Sequence, residues 1–130
     1  MQELIVTTVM AGFLAILMVP LSLQISIKRV NMGGVVFGDA NDDNLRRKIR
    51  AHGNFIEYAP MGLIVLALLE YNIGANIYIW ALGVLLVLSR VLHAFGMLYG
   101  STPTPRALAM LISHFFFITT GVWLILTLIF

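Results

Sequence analysis

Arg47, Arg50, Asn54 and Glu57 follow one another at intervals of three, four and three residues. At about 100° per residue they fall within an arc of roughly 80°, so all four lie on one face of a helix. Further along, Arg90 and His93 share one side of a second apolar segment. Ionisable groups inside such segments are costly, and they usually face an interior, pair with one another and mark function. One reading is a buried Arg–Glu network that only fixes how helices pack. The excess of cations favours another: these donors bind an anionic ligand through charge-assisted hydrogen bonds.

The elements that carry these residues follow from composition. Sixty per cent of the 130 residues are hydrophobic and 11% are charged, against about 25% charged in an ordinary globular chain. Six acidic and eight basic residues cannot cover a soluble surface without leaving apolar patches in water, which excludes a soluble monomer. The absence of cysteine excludes disulfides, thiolate zinc sites and a cysteine nucleophile. A net charge of +2, gathered at segment ends, excludes a nucleic-acid binder. A helical membrane span needs about 20 mostly apolar residues. Four segments qualify, at about 4–27, 45–69, 77–99 and 106–129. The first has Glu3 and no basic flank ahead of a long apolar run, so it reads as a retained helix rather than a signal peptide.

Three loops join the spans. The first, Lys28 to Asn44, offers Asp43 or Asn44 as a helix N-cap, with Asp42 complementing the dipole. The second runs from Glu70 to Asn76, and the third from Gly100 to Pro105, with Ser/Thr caps and a proline at the first helical turn. Short connections make neighbours antiparallel, so the fold class is all-α: a single domain over 1–130, an integral membrane four-helix up-down bundle lying in the lipid bilayer.

Other motifs carry less. Asp39, Asn41 and Asp43 fit the first ligand positions of a calcium loop, but Asn44 stands where glycine is required and Arg50 where the closing glutamate belongs. A solvated turn with a helix cap is the better reading, and no metal site is expected. Gly96 and Gly100 have the spacing of a close helix contact. His114 stands alone on an apolar helix and is expected to be packed or backbone-bonded. Proton-coupled transport is disfavoured, since Glu57 is the one acid expected within the spans and paired broken helices are missing.

The segment Arg47-Lys-Ile-Arg50-Ala51-His52-Gly-Asn54-Phe-Ile-Glu57-Tyr58-Ala-Pro60 resembles the second-helix signature of the MAPEG family, the membrane-associated proteins in eicosanoid and glutathione metabolism. That signature reads Arg-x-x-Arg-Ala-x-x-Asn-x-x-Glu with a proline shortly after. Arg90-Val-Leu-His93 is similar to the third-helix motif of the prostaglandin E synthase branch, and Arg106 lies at the matching distance beyond it. With Phe37-Gly38-Asp39 in the first loop, the chain looks like a small bacterial branch of the family.

The resemblance implies a homotrimer in the bacterial inner membrane, with glutathione between subunits near the cytoplasmic face and a lipophilic substrate entering from the bilayer. It implies that Arg47, Arg50, His52, Asn54, Glu57, Tyr58, Arg90 and His93 surround the tripeptide, with Glu57 on its amine and Arg50 on a carboxylate. Arg106 would be the catalytic residue, lowering the thiol pKa, with Lys28 and Arg29 as a second cationic source. The implied activity is a glutathione transferase or peroxidase acting on lipophilic electrophiles. The alternative is a non-catalytic membrane module whose charges serve packing or ligand sensing. Two departures bear on turnover: Met97 stands where the family pattern has a tyrosine, and Ala107 where the synthase branch has a serine.

Orientation follows from charge. Lys28, Arg29, Arg46, Arg47, Lys48 and Arg50 flank the first loop and Arg106 the third, whereas the second loop and both termini carry only Glu70 and Glu3. The positive-inside rule puts both termini outside the cytoplasm. A reporter fused to the C-terminus should therefore be active only in its extracytoplasmic form, and a cytoplasmic signal would reverse the assignment.

Overall fold

A computed structural model describes residues 3–100 and 103–129. Four helices follow one another: α1 (Ile5–Asn31), α2 (Asp43–Ile73), α3 (Ile77–Leu98) and α4 (Thr104–Ile129). All four are long and apolar enough to cross a membrane. α2 and α3 form the inner pair, with α1 packed on both and α4 packed on both; among the described residues α1 and α4 do not meet.

The core lies where these faces converge, on Met10 and Leu14 of α1, Phe55 and Leu66 of α2, Leu82 and Leu86 of α3, and Phe116 of α4. Gly62 brings the inner pair together, since a Cβ there would stand 2.5 Å from Leu86 Cδ1. The outward faces stay apolar: Ile16, Val19, Leu111, Ile118 and Leu128 are all exposed, a surface suited to lipid rather than water. Tyr78 and Trp123 meet edge-on, 6.1 Å apart, near the second connection, an aromatic pairing of the kind that anchors span ends at the interface.

α1 runs past its expected C-terminal end, α2 past both ends and α4 past its start, while α3 stops one residue short, and the caps differ in one detail. Asp42, rather than Asp43 or Asn44, caps α2, its carboxylate accepting from the Leu45 amide at 2.6 Å, while Asp43 sits in the first turn. Asp42 is the last residue still in extended conformation, so it is the one whose side chain can turn back onto the amides. Asn76 does the same for α3, accepting from the amides of Tyr78 and Ile79. Pro105 falls in the first turn of α4 as expected, while Ser101 and Thr102 lie outside the described residues.

The larger correction concerns Glu70. It is not a loop residue but part of the last turn of α2, and it is 1% exposed. α1 begins at Leu4 without a side-chain cap of its own. Glu70 supplies one from another helix: Oε1 accepts from the Val6 amide at 2.8 Å, and Oε2 accepts from the Thr7 amide at 2.8 Å and the Thr7 hydroxyl at 2.7 Å. The first amides of a helix have no internal partner and carry its positive end, so a carboxylate is the group they prefer.

Glu70→Ala should lower stability by about 2–5 kcal/mol, because buried amides lose their acceptor. Glu70→Gln should cost less, since one carbonyl oxygen remains. Thermal unfolding of both variants in detergent tests the order, and equal midpoints for all three proteins would refute the cap.

Candidate functional site

Arg90 lies at the centre of the polar interior. It projects from α3 and is 1% exposed, and among the described residues it has no carboxylate partner. Its charge is met by neutral groups on three helices. Nη1 donates to Asn54 Oδ1 of α2 at 2.7 Å, Nη2 donates to the Ser113 hydroxyl of α4, and Nε reaches the Ser89 hydroxyl at 3.3 Å. The guanidinium carbon stands 4.6 Å from the centre of the Tyr58 ring, a cation–π contact, and Phe117 holds that ring edge-on at 5.9 Å. Ser113 in turn donates to the Ala109 carbonyl at 2.7 Å. The disfavoured reading, an Arg–Glu packing network, does not form at Arg90, which is bound instead by an amide, hydroxyls and an aromatic face.

This arrangement orients Asn54. With its carbonyl oxygen taken by Arg90, the amide nitrogen turns the other way and meets only the Met110 sulfur, at 3.9 Å. Asn54 is also one of the residues lining a cavity of about 160 Å³, with Arg50, His93, Met97 and Arg106. Two exposed arginines, an asparagine and a histidine contribute to that lining, which contains no acid. That donor set suits an anion. Gly96 makes room for the last member. A Cβ at Gly96 would come within 2.9 Å of the Arg106 amide nitrogen and 3.2 Å of Pro105 Cβ, so the missing side chain lets α4 start directly against α3. Gly96 thus has an intrachain use, whereas the atoms nearest a Cβ at Gly100 are those of the Gly96 backbone. Arg106 Nη1 contacts the Met97 sulfur at 3.5 Å.

Four expected residues meet in the cavity: Arg50, Asn54, His93 and Arg106. Arg90 and Tyr58 stand behind it as its support. The others lie elsewhere. Glu57 is exposed on the outer face of α2, so it does not pair with Arg50 inside the bundle. Seven residues of helix separate those two by about 10.5 Å along the axis, and a common face does not bring them into contact. Arg47 is exposed and donates to the Gly100 carbonyl at 3.2 Å. His52 is half-buried, with its Nε2 lacking a partner. Lys28 pairs with Asp42 at 3.1 Å, and Arg29 donates to the carbonyls of Val36 and Gly38. Those two cations fasten the first loop instead of lining the cavity. His114 is exposed rather than packed.

In the first loop Asp39 and Asp43 both take Arg46, at 2.6 and 2.8 Å. The hydrogen bond from Arg46 holds the Asp39 carboxyl below its ordinary pKa, with the Asn41 amide adding to the effect. The acidic run is thus engaged with a cation of its own chain. Sequence reasoning overlooked Ser89 and Ser113 as the acceptors for Arg90, although a lone serine within an apolar span was itself a signal.

A family model described as the MAPEG family matches residues 7–127. The chain is similar to the inner membrane protein YecN of Escherichia coli strain K12, with 31% identity over 62 residues, covering 48% of this chain and 47% of that one. The protein of the same description from Escherichia coli O6:H1 matches to the same extent. The alignment spans about half the length of these curated relatives.

Replacing Arg90 by lysine keeps the charge but loses the planar fork that reaches α2 and α4 together. Arg90→Lys should destabilise the protein by about 2–4 kcal/mol, as buried acceptors lose their donors. Ser113→Ala should cost less. Unfolding midpoints in detergent read this directly; an unchanged midpoint in Arg90→Lys would show that charge alone suffices.

Proposed function

Because the chain belongs to the MAPEG family, we propose that it is a membrane-embedded glutathione-dependent transferase or peroxidase acting on lipophilic electrophiles. The observation that carries this reading is the acid-free cavity where Arg50, Asn54, His93 and Arg106 converge. Glutathione supplies a thiol nucleophile and two carboxylates, and the donors present fit those carboxylates. At about 160 Å³ the cavity is smaller than the ~300–1,000 Å³ of ordinary ligand pockets, so a tripeptide would extend beyond it. Arg50 also lines a second space of about 440 Å³ beside Asp39 and Arg46. The exposed Glu57 is a costly group on a span surface unless a ligand or another subunit covers it. Both points favour a homotrimer with the ligand between subunits, where Glu57 receives the amine and a neighbour brings further cations. The bacterial inner membrane is the proposed location, in line with the two Escherichia coli relatives.

Arg106 is the candidate for activating the thiol. It lies in the first turn of α4, where the amide ends of the helix add positive potential, and its guanidinium faces the cavity. An ordinary thiol has a pKa of about 8.5, and a neighbouring cation lowers it by one to several units. A thiolate so formed would attack an electrophilic carbon arriving from the bilayer, making the carbon–sulfur bond as the leaving group departs with the electron pair. One observation favours the non-catalytic alternative: the Arg106 guanidinium is engaged by the Met97 thioether, where the family pattern has a hydroxyl donor.

Calorimetry with glutathione, and ultraviolet thiolate absorbance of the bound ligand titrated against pH, separate the two readings. The wild type should bind glutathione with its thiol pKa lowered by at least about one unit. Arg106→Ala should still bind but lose that shift, together with conjugation of a chlorodinitrobenzene. Binding with an unshifted thiol would leave the ligand-sensing module, and absence of binding would overturn both.

A further inference from the structure

The side of α3 turned toward α1 carries a second feature, separate from the polar cavity. Two hollows adjoin there and share Val91. One, of about 290 Å³, reaches as far as Met10 and Val84; the other, of about 440 Å³, ends at Gln24, Lys48 and Tyr99. Met10 to Gln24 is fourteen residues of α1, about 21 Å at 1.5 Å per residue. One leaflet of the hydrocarbon core is about 15 Å deep, half of ~30 Å. The groove is therefore long enough to take an acyl chain through a whole leaflet, and its first part is lined by apolar side chains alone.

Its far end is polar in a specific way. Lys48 donates to Gln24 Oε1 at 3.2 Å, and among the described residues it forms no ion pair. The Gln24 amide nitrogen is buried without an acceptor, a costly state for a donor. No carboxylate lines this end. An uncompensated ammonium beside an orphaned amide donor asks for an anionic acceptor, and the apolar groove leading from it asks that the anion carry a hydrocarbon chain. Both occur together at the end of the bundle where the first loop and Arg47 gather positive charge.

We propose that the α1/α3 groove binds an anionic phospholipid of the bilayer, its phosphate on Lys48 and the Gln24 amide and one acyl chain along Val91. Phe95 lines the wider hollow, and Phe95→Trp places a reporter in it. The full-length variant is reconstituted in vesicles of phosphatidylcholine in which a small fraction of either brominated phosphatidylglycerol or brominated phosphatidylcholine is the quencher. The signal of the parent protein, with Trp80 and Trp123, is subtracted. One lysine near the surface of a membrane contributes about a five-fold preference for an anionic lipid, so phosphatidylglycerol should quench the reporter about five-fold more effectively. Adding Lys48→Gln should bring the two quenchers to parity. Gln24→Leu, which removes the orphaned donor without touching the lysine, should reduce the preference in part. Equal quenching in the Phe95→Trp protein, or a preference that survives Lys48→Gln, overturns the proposal. So does a reporter that neither lipid reaches, which would mean that a second copy of the chain covers the groove.

Discussion

The structure depends on a single guanidinium held in a place where water cannot reach it. Taking an arginine into an apolar bundle carries a desolvation cost of several kcal/mol, and a carboxylate partner brings a similar cost of its own. This chain satisfies Arg90 with dipoles instead: an amide oxygen, two hydroxyls and a π face. Neutral acceptors are cheaper to bury than an acid. Because they belong to α2, α3 and α4, the arginine also fixes the relative positions of those three helices. The residues of the polar cavity are held on the same three, so their geometry follows from this one buried cation.

A second buried charge closes the other end of the bundle. Glu70 is as hidden as Arg90, and it too is satisfied by groups that carry no full charge, the open amides of α1 and a hydroxyl. The two ions are not paired with each other. Each is solvated locally, one by side chains and one by a helix terminus. Between them lies the ordinary apolar core, with Leu66, Leu82 and Leu86 filling the space that Gly62 opens.

Much of this was legible in the residues alone. Long, mostly apolar runs pointed to four helices, since backbone groups in hydrocarbon must be satisfied within the segment. The spacing of Arg50 and Asn54 put both on one helix face, and both line the cavity, whereas of Arg90 and His93 only His93 does. Three things were hidden. Periodicity reports which face a residue shares but not which neighbour covers that face, so Glu57 looked embedded and is exposed. Glu70 falls at the edge of a turn-like stretch around Asn72 and Gly74, and only the position of α1 explains its burial. Lys28 and Arg29 were grouped with the site because they are cations at the same end, whereas the loop that follows them presents nearer acceptors.

The cap on α1 also bears on the order of assembly. α1 is synthesised before α2, and its N-cap residue Leu4 makes no side-chain cap, so its leading amides are left to water until α2 is made. That tethers its outer end to the aqueous boundary. Only when α2 has crossed and its final turn has formed does Glu70 arrive to replace that water. The exchange can happen in one register alone, since the carboxylate has to meet two successive amides and a hydroxyl together. A chain that has inserted α1 and α2 with a slipped depth leaves both the acid and the amides unsatisfied in hydrocarbon, a strong penalty for the wrong arrangement. The contact thus acts as a depth gauge for the first hairpin, setting how far two helices have slid past one another before the second pair is laid against them.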